Sequence, residues 1–385
     1  MSQLLSDPRP ASAADADEAR SGRARDALSL ALRATMKRLR EEEDGEGDTL
    51  WFETKRQEKE GAIFDACIGA SSPLVKLHEE ILAFCALVAP SSDEVERRAA
   101  AVGRIEAAVR AVWPGASVHV FGSSLTGLSL PSSDVDVVVF GASGRTRLRA
   151  LGGELSKREM CASLELVESA RIPIVKYVDK ACGIPVDVSF DVEGGLRTGR
   201  LVRDLQDAMP ALRPLVLVLK FFLAQRGLNE TFTGGVGSFM MQMMVVSFLQ
   251  QRHRTDVATG LAGAANLGAL LLEFLELYGK DFNYATTGIS VRHHGAYFPK
   301  HQRGWNYPNR PALLALENPD DAGLDVGKNS FAMTRVKRAF DHAHAKLVLA
   351  ACADDWRTTC LLGAVIDLAI LNPRVAEADS ALDSS

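Results

Sequence analysis

The chain has 385 residues, enough for two or three domains of ordinary size. Hydrophobic residues make up 47% of the sequence, so most of the chain can bury a core. The formal net charge of −5 argues against a protein that grips a long nucleic acid through a basic surface of its own.

Neither secretion nor membrane insertion is indicated. The N-terminus carries no apolar signal core. The longest apolar runs, residues 215–223 and 239–249, are too short or too broken to cross a bilayer. The six cysteines form no C-x-x-C pair, so we expect reduced core thiols and no zinc site. These features predict a soluble intracellular protein.

Residues 1–70 are predicted to be mostly disordered, because their acidic run at 41–44 and the residues around it present no apolar face. Apolar residues at helical spacing then predict a helix over 74–88. Ser91 followed by Glu94 predicts a capping box that opens a second helix.

The pattern changes after Pro114. Short β-branched runs separated by Gly, Ser and Pro predict strands at 118–121, 135–140, 172–178 and 184–190. Helical periodicity returns at Leu201 and predicts helices at 215–223, 239–249, 267–278 and 330–347, the third closed by Gly279 and the fourth capped by Ser330. The sequence therefore predicts an α+β fold: a small unit of 116–200 inserted into a helical domain of 71–115 and 201–350, with a flexible tail at 373–385.

Two acids, Asp134 and Asp136, stand at the start of the second predicted strand. Residues i and i+2 of a strand point to the same face, so the two carboxylates lie side by side while Val135 and Val137 face the core. Paired carboxylates repel each other unless a cation lies between them. Mg²⁺ suits such a site, because it prefers oxygen ligands and shares its coordination shell with substrate phosphates.

A third acid, Asp187, interrupts an otherwise apolar strand, a placement that is costly without a partner. We expect it to complete a site for two metal ions of the kind used in phosphoryl transfer, where the ions activate a hydroxyl and neutralise the leaving pyrophosphate. Asp187 would also orient or deprotonate the attacking hydroxyl.

Gly122 and Ser123 follow the first predicted strand and open a short helix. Backbone N–H groups there, with the serine hydroxyl, are suited to hold triphosphate oxygens. Taken singly, a Gly-Ser turn, an Asp-x-Asp pair and a buried acid each have ordinary structural explanations. Together and in this order they favour a nucleotide-binding catalytic site.

These motifs resemble those of the DNA-polymerase-β-like nucleotidyltransferase superfamily. Within it, the chain resembles the non-canonical poly(A) polymerases of the nuclear TRAMP type, from about Pro73 to about Leu347. The motifs that carry this resemblance are Trp113-Pro114-Gly115-Ala116 with 118–123, residues 170–176 running on to Asp187, 215–220, 233–239, 266–268 with 273–280, and 316–319 with 328–331.

The resemblance implies a small mixed-sheet palm domain and a helical central domain of the poly(A) polymerase-associated type. It implies a two-metal mechanism with Mg²⁺ or Mn²⁺, in which Asp134, Asp136 and Asp187 catalyse adenylate transfer from ATP to RNA 3′ ends. Nucleotide contacts are implied for a further set of residues, several of them in a nucleotide-recognition loop at 316–331: Gly122, Ser123, Thr198, Lys220, Ser238, Phe239, Glu317, Asn318 and Asn329.

Some of these residues also carry weight by themselves. A lone lysine such as Lys220 is expensive in a buried helix unless it meets an anion. Phe239 offers a stacking face to a base. Ser238 has the alternative explanation of a plain helix N-cap.

The recognition loop bears on the choice of base. Similar uridylyltransferases often carry a histidine that reads the uracil edge, whereas Leu324 stands at that position here. Leu324 argues against UTP more than it argues for ATP. The alternatives left open are a terminal uridylyltransferase and an inactive scaffold that binds RNA or a helicase; the presence of all three acids argues against the scaffold.

The resemblance also implies partners and a compartment. Relatives borrow RNA affinity from a zinc-knuckle protein and act beside an RNA helicase in the nucleus, including the nucleolus. The acidic net charge agrees with such dependence. The histidines His293, His294 and His301 lie in a basic stretch that suits a solvated or RNA-facing loop better than a metal site. The aromatics Tyr297, Trp305 and Tyr307 in that stretch suit either RNA stacking or packing of the fold.

Overall fold

A computed structural model describes residues 70–170, 172–259 and 266–368. The predictions of a disordered N-terminal extension and of a flexible tail at 373–385 fall almost wholly outside these residues. Within them the fold is α+β, as the sequence predicted. Among the described helices, none is long and apolar enough to cross a membrane.

Nine α-helices lie within the described residues. They are α1 Pro73–Leu87, α2 Ser92–Val112, α3 Gly122–Thr126, α4 Arg147–Lys157, α5 Gly194–Ala208, α6 Leu212–Ala224, α7 Ser238–Thr259, α8 Leu267–Glu276 and α9 Met333–Cys352. The capping prediction is confirmed at the start of α2, where the Ser91 hydroxyl accepts a hydrogen bond from the Glu94 amide at 3.2 Å.

Five strands form the larger sheet, in the order β1-β2-β5-β4-β3. They are β1 Ser117–Phe121, β2 Val135–Phe140, β3 Cys161–Val167, β4 Ile174–Asp179 and β5 Pro185–Phe190. The sheet is mixed, because β2 and β5 run parallel while the other neighbours run antiparallel. This is the palm sheet that the sequence predicted.

A second, three-stranded sheet has the order β7-β6-β8. Its strands are β6 Thr287–Ser290, β7 Ala296–Pro299 and β8 Ala315–Leu316. The sequence predicted no strand here, and it predicted neither β3 nor α4. The four missed strands are two to seven residues long, too short for periodicity to reveal them.

The described residues form two hydrophobic cores. One contains the inward faces of the large sheet, including Val135 and Val137, which are fully buried as predicted. Helix α2 packs into this core through Ile105 and Val109. The other core joins α1 to α6, α7, α8 and α9. The predicted domain boundary at residues 115/116 stays a prediction. Helix α2, which precedes this boundary, packs in the core of the large sheet.

Two local predictions about helix ends are wrong. Ser330 does not cap α9; its hydroxyl accepts from the Leu314 amide and donates to the Gly327 carbonyl, while α9 begins at Met333 without a side-chain cap. Gly279 does not close α8 either, because the helix continues as a π-helical turn over Leu277–Asp281.

Candidate active site

Strand pairing brings the acids together. In the parallel β2–β5 ladder Asp136 is the register partner of Asp187, so the two side chains emerge from the same face of the sheet. Asp134 directly precedes β2. One ligand oxygen from each of the three carboxylates lies within 4.8 Å of the others. The structure thus brings all three predicted catalytic acids into one cluster.

The cluster is electrostatically strained. Burial and the nearby Asp134 and Asp187 carboxylates raise the pKa of Asp136 to about 7, above the ordinary aspartate value of 3.8. Burial also raises the pKa of Asp187, although the Lys176 ammonium opposes this at 2.6 Å from Asp187 Oδ2. The nearby lysines therefore compensate the negative charge of the cluster only in part, and the cluster would gain from a bound cation.

The donor set fits divalent metal ions. Three carboxylates supply hard oxygen ligands, the type that Mg²⁺ and Mn²⁺ prefer. The half-buried acids and their mutual repulsion would be relieved by positive charge at this point. Asp134, Asp136 and Asp187 are the residues that would hold the ions.

Gly122 allows the backbone to approach the acids. Its φ of +64° lies in the left-handed region, and a Cβ there would lie 2.1 Å from Asp136 Oδ2. Any side chain would therefore displace the Asp136 carboxylate. Gly122 opens the short helix α3, as the sequence predicted, and the adjacent Ser123 hydroxyl accepts from Ser129 Oγ at 3.3 Å.

A deep cavity of about 760 Å³ opens beside the cluster. Most of the predicted nucleotide contacts lie in its wall together with two of the acids: Gly122, Ser123, Asp134, Asp136, Thr198, Lys220, Ser238, Phe239, Asn318 and Asn329. Asp187 is joined to the site through the carboxylate cluster rather than through this wall.

Glu317 is the predicted contact that the structure does not bring to the cavity. Its side chain is 3% exposed, and its carboxylate oxygens lie 3.5 Å from the Arg292 guanidinium and 3.2 Å from that of Arg303. Both arginines engage the Glu317 carboxylate, so the side chain predicted as a nucleotide contact is paired within the protein here.

Lys220 lies on the buried helix α6 and reaches the cavity wall. It is 9% exposed, and its ammonium donates to the Leu128 carbonyl at 2.7 Å. Burial lowers the pKa of Lys220 to about 8, against the opposing effect of Asp134 and Asp136. The side chain therefore stays largely cationic at neutral pH, next to the acids.

The histidine-rich stretch is organised by packing. Trp305 is buried and meets Phe298 edge-on at 5.7 Å, and Lys300 is buried with its ammonium bound to three backbone carbonyls. Among the described residues, the acid triad is the one group with metal-ligand geometry, and the histidines are not part of it. Tyr307 remains exposed.

Sequence reasoning missed two residues that support the acids. Lys176 pairs with Asp187 across the β4–β5 ladder. Arg98, buried on α2, donates to the carbonyls of Ser133 at 2.8 Å and Asp134 at 3.4 Å. Both lie outside the motif that holds Asp134 and Asp136.

Arg98 is itself oriented from within α2. Its Nε atom donates to Glu94 Oε1 at 3.0 Å. Glu94 follows the N-cap of α2, so the capping turn, Glu94 and Arg98 form a chain of contacts ending at the catalytic turn. The i, i+4 spacing of Glu94 and Arg98 is the one sequence signal that could have suggested the pair.

An acid cluster on a mixed five-stranded sheet, set beside a deep cavity, defines a nucleotidyltransferase palm. Comparison with known proteins agrees. A family model described as the central palm domain of mitochondrial-like poly(A) RNA polymerase matches residues 77–205. A second, described as Cid1 family poly A polymerase, matches residues 266–323.

Individual relatives extend the match. Poly(A) RNA polymerase cid14 of Schizosaccharomyces pombe is 41% identical over 268 residues, which cover 68% of this chain and 39% of that protein. The inactive non-canonical poly(A) RNA polymerase protein Trf4-2 of Drosophila melanogaster is 36% identical over 293 residues, covering 74% of this chain and 71% of that protein. A solved structure of the polymerase core of TRAMP, an RNA surveillance complex, is 36% identical, with a TM-score of 0.71 over 77% of this chain and 95% of that one.

The chain belongs to the Cid1/Trf4 family of non-canonical poly(A) RNA polymerases. It spans less than half the length of the fission-yeast relative. The α+β fold and the family resemblance that the sequence suggested are both confirmed.

Replacing Asp136 by Asn should stabilise the metal-free protein. The folded-state pKa of Asp136, about 7, lies above the ordinary value of 3.8, so the folded chain holds this proton more tightly than the unfolded chain. Wild-type stability therefore falls as pH rises between these values and stays low above pH 7. With a chelator present, we expect the melting temperature of Asp136→Asn to exceed that of the wild type by a few degrees at pH 8.

The difference in melting temperature between Asp136→Asn and the wild type should narrow towards pH 5, and added Mg²⁺ should stabilise the wild type more than the variant. Differential scanning fluorimetry at both pH values measures this. A gap that is the same at pH 5 and pH 8 would show that charge repulsion is not the cause.

Replacing Arg98 by Met should weaken metal binding by the chain. Met keeps the apolar stem but removes the donors that hold the Ser133 and Asp134 carbonyls, so the Asp134 carboxylate loses its fixed position. We expect the affinity for Mn²⁺, measured by calorimetry, to fall several-fold. Arg97→Met is the matched control, because within the described residues Arg97 bonds the Asp93 carbonyl on its own helix and does not contact the turn that carries Asp134. Equal Mn²⁺ affinity in both variants would contradict a positioning role.

Proposed function

We propose that the chain transfers adenylates from ATP to RNA 3′ ends, with two Mg²⁺ or Mn²⁺ ions held by Asp134, Asp136 and Asp187. The observation that carries this proposal is the meeting of three carboxylates at a cavity whose wall also includes the recognition loop. When bound, the two ions supply activation of the 3′-hydroxyl and charge neutralisation on the pyrophosphate.

The chain's own groups have separate tasks in this proposal. Asp187 accepts the proton of the 3′-hydroxyl or orients that hydroxyl, and its contact with Lys176 holds its carboxylate in place. Backbone N–H groups at Gly122 and Ser123 bind triphosphate oxygens. Lys220 adds a cation at the same wall, which its position near the acids supports.

The base is bound between apolar and polar groups. Phe239 is half-buried in the cavity wall and offers a stacking face, which favours the larger purine ring. Leu324 also lies in the wall, and its side chain has no donor for a uracil carbonyl. Asn318 and Asn329 supply polar groups from the same loop. This lining supports ATP over UTP.

The acid cluster argues against the alternative of an inactive scaffold. The Drosophila relative is named as inactive, and at 36% identity its inactivity does not carry over by itself. In this chain all three acids converge with ligand-atom separations under 4.8 Å, and Gly122 leaves room for the Asp136 carboxylate. A protein that served only as a scaffold would have no use for this strained cluster.

We also propose a nuclear role in RNA surveillance, with a zinc-knuckle RNA-binding protein and an RNA helicase as partners. The match to the polymerase core of TRAMP and the net charge of −5 support this. A zinc-knuckle protein that binds the chain should raise its activity on RNA, and sub-micromolar RNA binding by the chain alone at physiological salt would contradict the need for one.

Incubation of the purified chain with labelled oligo(A) and each nucleoside triphosphate separately, with Mg²⁺ and with Mn²⁺, tests the activity. We expect extension with ATP above all others. The Asp134→Ala/Asp136→Ala variant should lose extension while its melting temperature in a chelator stays at or above the wild-type value, because like charges are removed. Near-normal extension by this variant would rule out the carboxylate mechanism.

Replacing Leu324 by His should shift the enzyme towards UTP. The imidazole supplies a donor at a cavity position where leucine supplies none. A polar base contact contributes about 1–3 kcal/mol by analogy with groove recognition, so we expect the ratio of kcat/KM for UTP to that for ATP to rise roughly ten- to a hundredfold. Leu324→Met is the control for size. An unchanged ratio would show that this residue does not face the base.

A further inference from the structure

Two phenylalanines beyond the cavity are unusually exposed. Phe232 is 72% exposed and Phe331 is 51% exposed. A single exposed aromatic is common on protein surfaces, but two on neighbouring segments leave apolar area that folding does not use.

Both phenylalanines stand close in sequence to the wall of the active-site cavity. Each lies two residues beyond a residue of the cavity wall, Phe232 after Glu230 and Phe331 after Asn329. The two segments are joined by a hydrogen bond from the Ala332 amide to the carbonyl of Gly234 at 2.9 Å.

Gly234 seats one of these rings. A Cβ at Gly234 would lie 2.4 Å from the ring of Phe331, so the ring rests directly on the glycine backbone. Phe331 is therefore held in place, with its remaining surface facing solvent.

Cations lie near the Phe331 ring. The Arg310 guanidinium lies 5.8 Å from the centroid of that ring, and the exposed Lys328 stands three residues before Phe331 in the sequence. Positive charge next to an exposed aromatic face is suited to an anionic ligand with flat groups.

The same cations connect to a second cavity. Arg310, Lys328 and Tyr307 line a cavity of about 390 Å³, which shares Lys328 and Asn329 with the active-site cavity. A single-stranded nucleic acid whose end lies at the acids could therefore continue outward past Arg310 and Lys328 without a break.

We propose that this aromatic rim, defined as Phe232, Phe331, Arg310 and Lys328, binds the single-stranded RNA just upstream of its 3′-terminal nucleotide. The inference rests on the proposed function. Bases of any sequence stack on aromatic side chains, and the cations neutralise phosphates. Continuity with the active-site cavity favours RNA over a protein ligand. A local rim of this kind also explains how a chain with a net charge of −5 engages RNA.

RNA binding by the full chain tests the proposal without requiring catalysis. Fluorescence anisotropy at low salt would follow a labelled oligo(A) of about 15 nucleotides, long enough to pass the rim. We expect Phe232→Ala and Phe331→Ala each to weaken binding about tenfold. Phe232→Leu should lose as much as Phe232→Ala, because stacking needs a flat ring, and Phe331→Trp should keep wild-type affinity.

Leu349→Ala is the matched control, because Leu349 is 69% exposed and lines neither cavity. Arg310→Gln and Lys328→Gln should each lower the slope of log affinity against log salt by about 1. Phenylalanine variants that bind oligo(A) as tightly as Leu349→Ala would overturn the proposal and leave the rim to a protein partner. Absence of extension with every nucleotide would refute the proposed function alone, since binding is measured separately.

Discussion

Mutual repulsion among three carboxylates is the constraint on which this structure depends. The parallel β2–β5 pairing places Asp136 and Asp187 opposite each other, and Asp134 enters at the strand end, so three ligand oxygens lie within 4.8 Å of one another. Folding maintains this arrangement although burial and like charge raise the pKa of Asp136 to about 7. The surrounding contacts either offset the negative charge or hold the backbone that carries the acids in place.

The compensating groups come from separate elements. Lys176 on β4 offsets part of the charge at Asp187, and Lys220 on α6 contributes a second cation near Asp134 and Asp136. Arg98 on α2 holds the turn before β2 by donating hydrogen bonds to the carbonyls of Ser133 and Asp134. The groups that act on the acids therefore come from the sheet, from the helix packed on it and from the helical core.

Buried charge also shapes the recognition loop. Glu317 is held by Arg292 and Arg303, and Asp325 Oδ1 accepts from the amides of Leu316 and Gly327. These bonds fix the loop from behind while Leu324, Asn318 and Asn329 occupy the cavity wall. Glu317, which the sequence analysis gave as a nucleotide contact, is therefore paired within the protein in this structure.

The sequence by itself determined the acids, their strands and the order of the long helices, because these signals are local: β-branched runs, i and i+2 spacing, and apolar periodicity. Tertiary structure alone decided the short strands β3, β6, β7 and β8, whose pairing partners lie elsewhere in the chain. It also decided that Arg98 and Lys176 contact the segments that carry the acids, and that Glu317 pairs with two arginines outside the cavity wall. Such contacts depend on which side chains meet when separate elements pack together, and the spacing of residues along the sequence does not specify those distances.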